Sequence, residues 1–464
     1  MNYCFLARGT LNVFSPKMFN DIRKRYDKDA KGIFVTMNKQ QAEKVRLTYS
    51  EAVVYVVSDY MKDHWKDFSL DKLCTYEEEY NCAPIWRYIY TDRFLINRDY
   101  EYVVKTTVGL FSFFEYIFRK HKINIYYSES IATLLCYVAY IVGKKMGVVY
   151  YSQTGARGKD STHHYIITEP FVYIDNFDNN YKCKKYTDEE IRKADEFLTS
   201  FETKDIKPSY MSTTGIKPRF KLKYLFLPFK RFVGRFVCHL NNPYSYMDYK
   251  SYKRITDECK YYFRYQYCKK FYKRPDYKQK YVYFPLHYQP EASTIVCAQK
   301  YEKQLVFIDG WAKSLPADTV LYVKEHFAIL GNRDIHFYRE LKKYPNVVII
   351  DPWANSRKLI EEAIAVTTLT GTAGWEAFLL RKPVFVGGNV YYEKAPGVIK
   401  ILDIFNNYLS EISKWERPSR EEVIHYLCEY FRCISPGVQN GYGSEISDTD
   451  DNIKLMVDSL MKRI

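Results

Sequence analysis

Residues 366–388, with the sequence VTTLTGTAGWEAFLLRKPVFVGG, predict a strand, a turn of small residues, a helix and a second strand. The first strand is VTTLT, the helix is Gly374–Leu380, and the second strand is PVFVG. Short apolar strands that alternate with helices are typical of βαβ units and a parallel sheet. This stretch therefore predicts that the surrounding part of the chain belongs to the α/β class.

The same alternation extends from this stretch back to Tyr281. The preceding strands are predicted at YVYFPL (281–286), TVLYVK (319–324) and VVII (347–350). Helical patterns lie between them, and Pro316 ends the first of these helices. This layout predicts a doubly wound, Rossmann-like domain that binds a nucleotide, over residues 281–420.

The first part of the chain also alternates strands with helices, which predicts a second Rossmann-like domain over residues 1–205. Its predicted strands are Tyr3–Leu6, Gly32–Val35, Ala52–Val57, Ile123–Tyr127 and Val148–Ser152. Its predicted helices are Val103–Phe118 and Ile131–Lys145. The remaining residues form a predicted connecting segment, 206–280, and a predicted C-terminal helical tail, 421–464.

The connecting segment is basic and rich in Tyr. Between Arg219 and Lys280 there are 17 Lys or Arg residues and four acids, in a chain whose net charge is +15. Residues 221–240, KLKYLFLPFKRFVGRFVCHL, mix apolar and basic side chains. Two interpretations stay open: an amphipathic segment on an anionic membrane, or a solvated connector whose aromatic residues pack on one domain. Pro228 and Gly234 weaken any continuous helix here.

Composition limits the class of protein. Of the 464 residues, 47% are hydrophobic and 27% are charged, which excludes wholesale disorder. We find no run of about 18 apolar residues and no signal-peptide pattern in MNYCFLARGT, so we expect a cytosolic protein. The 11 Cys are scattered, which favours reduced thiols, and no metal-binding motif is found. The positive charge and the 47 Tyr favour anionic partners, although an AT-rich genome would give a similar composition.

Three polar clusters follow predicted strands of the C-terminal domain. They are His287–Glu291, which includes Gln289, then Lys324–His326, and Thr370–Glu376. Ligands of doubly wound sheets bind outside the carboxyl ends of the strands, so we expect the three clusters to surround one ligand.

The residue types in these clusters suit a nucleotide. Thr370, Gly371 and Thr372 precede a helix, where N–H and hydroxyl groups can hold a phosphate, and Glu376 can reach a ribose. Lys324 and His326 point to the same side of a strand exit and can stabilise charge on a leaving phosphate. Gln289 can bind a base or sugar edge, whereas His287 and Glu291 stay ambiguous. Ordinary helix capping and a satisfied, partly buried histidine are the alternatives.

The N-terminal domain offers three further candidates, each after a predicted strand. Glu129 is a candidate general base or positioning carboxylate, and Arg157 and Arg8 are candidate contacts to an anionic acceptor or to the donor. The alternatives are a helix N-terminus with a favourable carboxylate and surface arginines.

The C-terminal segments together resemble a known family. YFPLHYQPEAST, QLVFIDGWAKSLP, LYVKEHF, YPNVVIIDPWANSRKLI and TLTGTAGWEAFLLRKPVFVGG are similar to the bacterial capsule polysaccharide biosynthesis proteins, which include capsular β-Kdo transferases. The resemblance implies a glycosyltransferase of the GT-B type, with two Rossmann-like doubly wound domains that face a cleft. It also implies that the segments at Lys324–His326 and Thr370–Glu376 line the donor site. Phe327 stands where the family usually has proline.

The resemblance further implies a nucleotide-sugar substrate, linked to CMP, UDP or GDP, and no obligatory cofactor or metal. The acceptor is expected to be a lipid-linked or glycan precursor of a capsule or another surface polysaccharide. An anionic inner-membrane surface is a further partner if the basic segment binds lipid, which would place the protein on the inner face of the plasma membrane.

Three other functions stay open. One is a teichoic-acid-like polyol-phosphate transferase, which uses a similar histidine and a similar turn, and another is a non-hydrolysing sugar-nucleotide epimerase. The third, a nucleic-acid-binding protein, is suggested by the Lys- and Tyr-rich middle segment. Because no RRM, KH, OB or helix-turn-helix signature is found, we expect no nucleic-acid partner.

Overall fold

The computed structural model describes residues 1–157, 162–170, 174, 176–203, 242–247, 251–403, 408–439 and 446–464. They form two compact units. The first unit comprises the described residues of Met1–Phe177, Asn241–Asp248 and Phe431–Ile464, and the second comprises those of Asp178–Leu240 and Tyr249–Tyr430. The basic stretch 221–240 lies outside the described residues, so its two interpretations stay predictions.

The first unit is built on a sheet of seven described strands in the order β13-β6-β5-β4-β1-β2-β3. The strands are β1 (Asn2–Leu6), β2 (Lys31–Thr36), β3 (Val53–Val56), β4 (Ile125–Ser128), β5 (Val149–Gly155), β6 (His163–Ile167) and β13 (Ser435–Pro436). The five strands β5, β4, β1, β2 and β3 are parallel to one another. At the other edge, β6 runs antiparallel to β5, and β13 runs antiparallel to β6. The helices are α1 (Leu11–Arg25), α2 (Lys39–Thr48), α3 (Val57–His64), α4 (Leu70–Glu79), α5 (Trp86–Ile89), α6 (Tyr100–His121), α7 (Leu134–Met146) and α17 (Asp450–Met461).

Strand β1 lies at the centre of this sheet, between β2 and β4, so the strand order reverses between β1 and β4. The core on one face joins Phe5 of β1 and Phe14 of α1 with Met456 and Leu460 of α17, and all four side chains are buried. The C-terminal helix therefore completes the first unit instead of forming a separate tail, which differs from the predicted division at residue 421.

The second unit contains a sheet of six described strands, all parallel, in the order β12-β11-β10-β7-β8-β9. The strands are β7 (Lys280–Pro285), β8 (Thr319–Lys324), β9 (Val347–Ile350), β10 (Ala365–Thr368), β11 (Val384–Val386) and β12 (Val398–Lys400). The helices are α8 (Asp188–Thr203), α9 (Ser251–Cys268), α10 (Ala292–Ile295), α11 (Gln304–Ser314), α12 (Ile335–Leu341), α13 (Ser356–Glu362), α14 (Thr372–Leu379), α15 (Tyr408–Lys414) and α16 (Arg420–Cys433).

This is the strand order of a dinucleotide-binding Rossmann sheet, with the order reversing between β7 and β10. The central strand β7 is apolar and buried from Tyr281 to Phe284, as expected for a strand covered on both faces of the sheet. The prediction of two Rossmann-like doubly wound sheets is confirmed.

Helix α8 belongs to the second unit, although the sequence suggested that the first domain extends to residue 205. The guanidinium of Arg420 donates hydrogen bonds to Asp195 (2.8 Å) and Glu202 (2.6 Å), both on α8. Arg357 donates to the carbonyl of Phe201 (2.6 Å). These contacts join α8 to elements that come more than 150 residues later, which local sequence patterns do not reveal. Within the described part of the chain, no helix is both long enough and apolar enough to cross a membrane.

Candidate functional site

The reversal point of the second sheet brings together the turns that follow β7 and β10. The ring of His287 is buried, and its Nε2 accepts a hydrogen bond from the backbone N–H of Thr370 (3.1 Å). The same nitrogen lies 3.2 Å from Oγ1 of Thr368. Burial lowers the pKa of His287 to about 3, so the ring is neutral and carries its proton on Nδ1. Two of the three predicted clusters are therefore in direct contact.

Some donors of the turn before α14 are already bonded to acceptors within the protein. The N–H of Gly371 donates to Oγ1 of Thr368 (2.9 Å), and the hydroxyl of Thr370 donates to the carbonyl of Ser293 (2.8 Å). Thr370 and Gly371 thus shape the turn, whereas the sequence suggested that they donate to a ligand. At the start of an α-helix the first N–H groups have no intrahelical acceptor, which leaves those of Thr372 and Ala373 for an anion.

Gly374 is required by the packing of α14. A Cβ atom at this position would collide with the hydroxyl of Tyr392. That hydroxyl donates to the carbonyl of Gly371 (2.6 Å) and so fixes the end of the turn. The small residue recognised in the sequence therefore makes room for a protein side chain.

Lys324, the last residue of β8, is buried and lies close to the start of α13. Its ammonium donates to the carbonyl of Ala354 (2.7 Å) and to the hydroxyl of Ser356 (2.6 Å). Burial lowers its pKa to about 8, and the negative charges of Glu376 and Asp351 oppose this shift. The carboxylate of Glu376, on the first turns of α14, is thus near enough to interact with the Lys324 charge.

His326 follows two residues after Lys324. Its Nδ1 accepts a hydrogen bond from the N–H of Ala328 (3.2 Å), which places the proton of the neutral ring on Nε2. Burial lowers its pKa below the usual value, so at neutral pH the ring is a hydrogen-bond donor and not a cation. The next residue, Phe327, stacks on this ring with centroids 4.9 Å apart.

Arg333, which no sequence motif indicated, links the turns after β7 and β8. Its Nε donates to Glu325 (2.8 Å), and one terminal nitrogen donates to the carbonyl of His287 (2.9 Å). Both side chains of the Arg333–Glu325 pair are almost fully buried. The only hint in the sequence is an arginine in the polar loop GNRD before α12.

Gln289 and Glu291 make local contacts after β7. The carboxamide of Gln289 donates to the carbonyl of Glu302 and accepts from Arg333 (3.4 Å). The carboxylate of Glu291 accepts from the hydroxyl of Ser293 (2.9 Å). These bonds organise the turn, and the roles of both residues in donor binding stay predictions.

The reversal point of the first sheet holds an ion pair. Nε of Arg8, just after β1, lies 2.9 Å from the carboxylate of Glu129, just after β4. The side chains are 16% and 25% exposed, respectively. Arg157 lies beyond the end of β5 and is partly exposed. The structure therefore brings together Arg8 and Glu129, which were predicted from separate strands.

Asp92 was not predicted, yet it lies fully buried behind this pair. Its carboxylate accepts the N–H groups of Phe94 (2.8 Å) and Leu134 (2.9 Å), and so it anchors the start of α7. Burial raises its pKa. Among the described residues, we find no group of three or more His, Cys, Asp or Glu side chains arranged to hold a metal ion.

Comparison with known proteins supports the resemblance seen in the sequence. Residues 236–404 match the family model of the capsule polysaccharide biosynthesis protein. No curated protein matches the chain. One similar solved structure is the β-Kdo 2,7 transferase KpsC of Thermosulfurimonas dismutans, with 10% identity over 99% of this chain and 100% of that chain, at a TM-score of 0.37.

A second similar structure is the UDP-GlcNAc 2-epimerase of Methanocaldococcus jannaschii, with 10% identity over 93% of this chain and 99% of that chain, at a TM-score of 0.30. The family match covers β7 to β12, the strands that carry the three polar clusters. The similarity to the capsule polysaccharide biosynthesis family is therefore carried by residues 236–404.

Proposed function

We propose that this protein transfers a sugar from a nucleotide-sugar donor to an acceptor of a capsule or another surface polysaccharide. The observation that carries the proposal is the meeting of the turns after β7 and β10 at the reversal point of the second sheet, where His287 binds the Thr370 turn. Doubly wound sheets bind nucleotides at this position. The family match over the same strands supports a role in capsule polysaccharide biosynthesis.

The side chains around this point suit a nucleoside diphosphate or monophosphate. The N–H groups of Thr372 and Ala373, at the positive end of α14, bind phosphate oxygens in this proposal. The ammonium of Lys324 adds a positive charge, and Glu376 accepts from the ribose hydroxyls. Neighbouring Lys324 and Glu376 thus present opposite charges to the phosphate and the sugar of one ligand.

Bond cleavage moves negative charge onto the leaving phosphate. In this proposal the Nε2–H of His326 donates to that phosphate, while Lys324 neutralises the charge. The protein supplies these groups itself, and we therefore propose that transfer needs no divalent metal and continues in excess EDTA.

On the acceptor side, Glu129 is the proposed carboxylate that orients or deprotonates the acceptor hydroxyl. Arg8 holds this carboxylate at 2.9 Å, which restricts the rotamers of both side chains. Arg157 is proposed to contact an anionic part of the acceptor. A lipid-linked acceptor would bring the enzyme to the inner face of the plasma membrane.

A thermal-shift screen with CMP, UDP, GDP and CDP tests the proposal first. The matching nucleotide should raise the melting temperature, because it binds the folded state. His326→Ala should then reduce transfer about a hundredfold without unfolding the protein, as expected for the loss of one contact to developing charge. His336→Ala, at an exposed histidine of α12, is the matched control and should be fully active.

Three outcomes contradict the proposal or a part of it. If no nucleotide binds and no sugar is transferred, the site is not a donor site. A phosphodiester product would instead identify a polyol-phosphate transferase. Near-normal turnover of His326→Ala would show that the leaving phosphate is stabilised elsewhere.

A further inference from the structure

One buried guanidinium contacts two of the three polar turns and, through His287, connects to the third. The side chain of Arg333 is 8% exposed, and the side chain of its partner Glu325 is fully buried. The guanidinium donates to Glu325 (2.8 Å), to the carbonyl of His287 (2.9 Å) and to the carboxamide of Gln289 (3.4 Å). Arg333 lies in the loop before α12, and none of these three partners belongs to that loop.

The partners of Arg333 are themselves hydrogen-bonded to residues of the proposed donor site. Glu325 accepts the backbone N–H of His326 (2.8 Å), and it also accepts the hydroxyl of Tyr338 (2.6 Å) from α12. His287, held through its carbonyl, binds the N–H of Thr370 through its ring. Arg333 is therefore hydrogen-bonded directly to His287. It is linked to His326 through Glu325, and to Thr370 through His287, by two successive hydrogen bonds in each case.

We infer that Arg333 is a positioning residue that sets the relative geometry of His326 and the Thr370 turn. The inference rests on the proposed function, because it concerns the same donor site. A buried ion pair is weak evidence for stability, since apolar pairs often replace it without loss. Its use here is geometric: the planar guanidinium donates in several fixed directions at once, which a lysine does not do.

Two variants separate positioning from stability. Arg333→Lys keeps the positive charge but replaces the planar guanidinium, with its several donors, by a single ammonium group. The double variant Arg333→Met with Glu325→Gln removes both charges, so that neither is left buried alone. Arg264→Lys is the matched control, because Arg264 binds Asn332 and Asp334 on either side of Arg333 and contacts none of the three turns.

The first measurement needs no ligand. In the full-length protein with 15N-labelled histidine, the ring nitrogens of His287 and His326 report their hydrogen bonds. We expect both signals to shift in Arg333→Lys and in the double variant and to stay unchanged in Arg264→Lys, while circular dichroism shows that all variants are folded. Unchanged histidine signals in the folded Arg333 variants would overturn the inference.

The second measurement uses the nucleotide that binds the wild type most tightly. We expect its dissociation constant to rise at least tenfold in both Arg333 variants, and kcat to fall about a hundredfold, the effect of a misplacement of about 1 Å. Wild-type affinity and kcat in those variants would also overturn the inference. If the wild type binds no nucleotide but the histidine signals shift, the proposed function fails while the coupling through Arg333 stands.

Discussion

Lys324 combines burial with two hydrogen bonds from its ammonium to neutral oxygens of the loop before α13. Burial favours the uncharged amine in spite of these bonds, which explains a pKa of about 8 in place of 10.5. Near pH 7 most of the lysine is still protonated and can bind phosphate. A modest rise in pH therefore removes a charge that the proposed donor site uses.

We predict that nucleotide affinity falls as the pH rises from 7.5 to 9.5, with the loss centred near pH 8 or somewhat above it. The sign follows because the ammonium form binds the anion and deprotonation above its pKa removes that form. Isothermal titration calorimetry across this range measures the effect, and nucleotide phosphates do not titrate there. Lys324→Met should bind weakly at every pH and lose this dependence; a variant that keeps the same pH profile would contradict the assignment.

Gly374 gives a prediction about packing. Gly374→Ala places a methyl group against the hydroxyl of Tyr392 and should reduce the free energy of unfolding by roughly 1–3 kcal/mol. Nucleotide affinity should fall as well, because the displaced hydroxyl holds the carbonyl of Gly371. Chemical denaturation and thermal shift measure the two effects.

Tyr392→Phe is the companion variant for this prediction. It removes the nearest colliding atom, so the double variant Gly374→Ala with Tyr392→Phe should lose less stability than the sum of the two single losses. If the two losses simply add, the collision is not the cause.

For individual residues of the site, the sequence could predict the residue types but not the partners to which they bind. Polar residues at strand ends and small residues before a helix are local patterns, and they identified Lys324, His326 and the Thr370 turn. The bond from Thr370 to His287 joins residues 83 positions apart, so no local pattern shows that the N–H group is already used. Arg333 was missed for the same reason, since its partners come from other elements.

Among the elements, the edge of the first sheet depends on one buried polar network. His164 of β6 lies 3.1 Å from the carbonyl of Gly437 through Nδ1 and 2.7 Å from the hydroxyl of Ser459 on α17 through Nε2. Gln153 of β5 donates to the same hydroxyl (2.7 Å). The network joins the last helix of the chain to strands that precede it by about 300 residues.

We predict that acid destabilises this edge through His164. Burial lowers its pKa to about 4 from 6.5, so the unfolded chain binds a proton between these values and the folded chain does not. The free energy of unfolding should therefore fall as the pH drops from 6.5 to 4, by about 3 kcal/mol in total from this residue. Denaturation at pH 7.5 and pH 5 measures the change.

His164→Gln is the reference for this measurement, because other groups also titrate in the same range. The variant should show a smaller loss between pH 7.5 and pH 5 than the wild type. Equal losses in the two proteins would mean that His164 is protonated in the folded state.

The central strands could be predicted, whereas the edge strands could not. β1, β7 and β8 are buried on both faces and therefore form continuous apolar runs, which the sequence shows directly. β6 and β13 are antiparallel additions at one edge, and β13 has only two residues. Such strands form because a distant segment pairs with them, and they leave little local signal.

Considered as a whole molecule, the chain repeats one design twice, with a Rossmann-type order in each sheet and charged or polar side chains at each reversal point. The predicted linear division into domains differs from the observed one, since the first unit takes its last helix from the C-terminus. Sequence patterns show that α17 is amphipathic, with Ile453, Met456, Val457 and Leu460 buried, but not which core receives it.

This division predicts that α17 controls the stability of the first unit only. Met456→Ala combined with Leu460→Ala removes two fully buried side chains and should cost several kcal/mol of unfolding free energy, at about 2–5 kcal/mol for each. In differential scanning calorimetry the first unit's transition should move to lower temperature, while the second unit's transition, and its rise on nucleotide binding, stay in place. Leu455→Ala, at a residue that is 41% exposed, is the matched control and should leave both transitions nearly unchanged. A parallel shift of both transitions would show that the two units unfold together, and that α17 stabilises the whole chain.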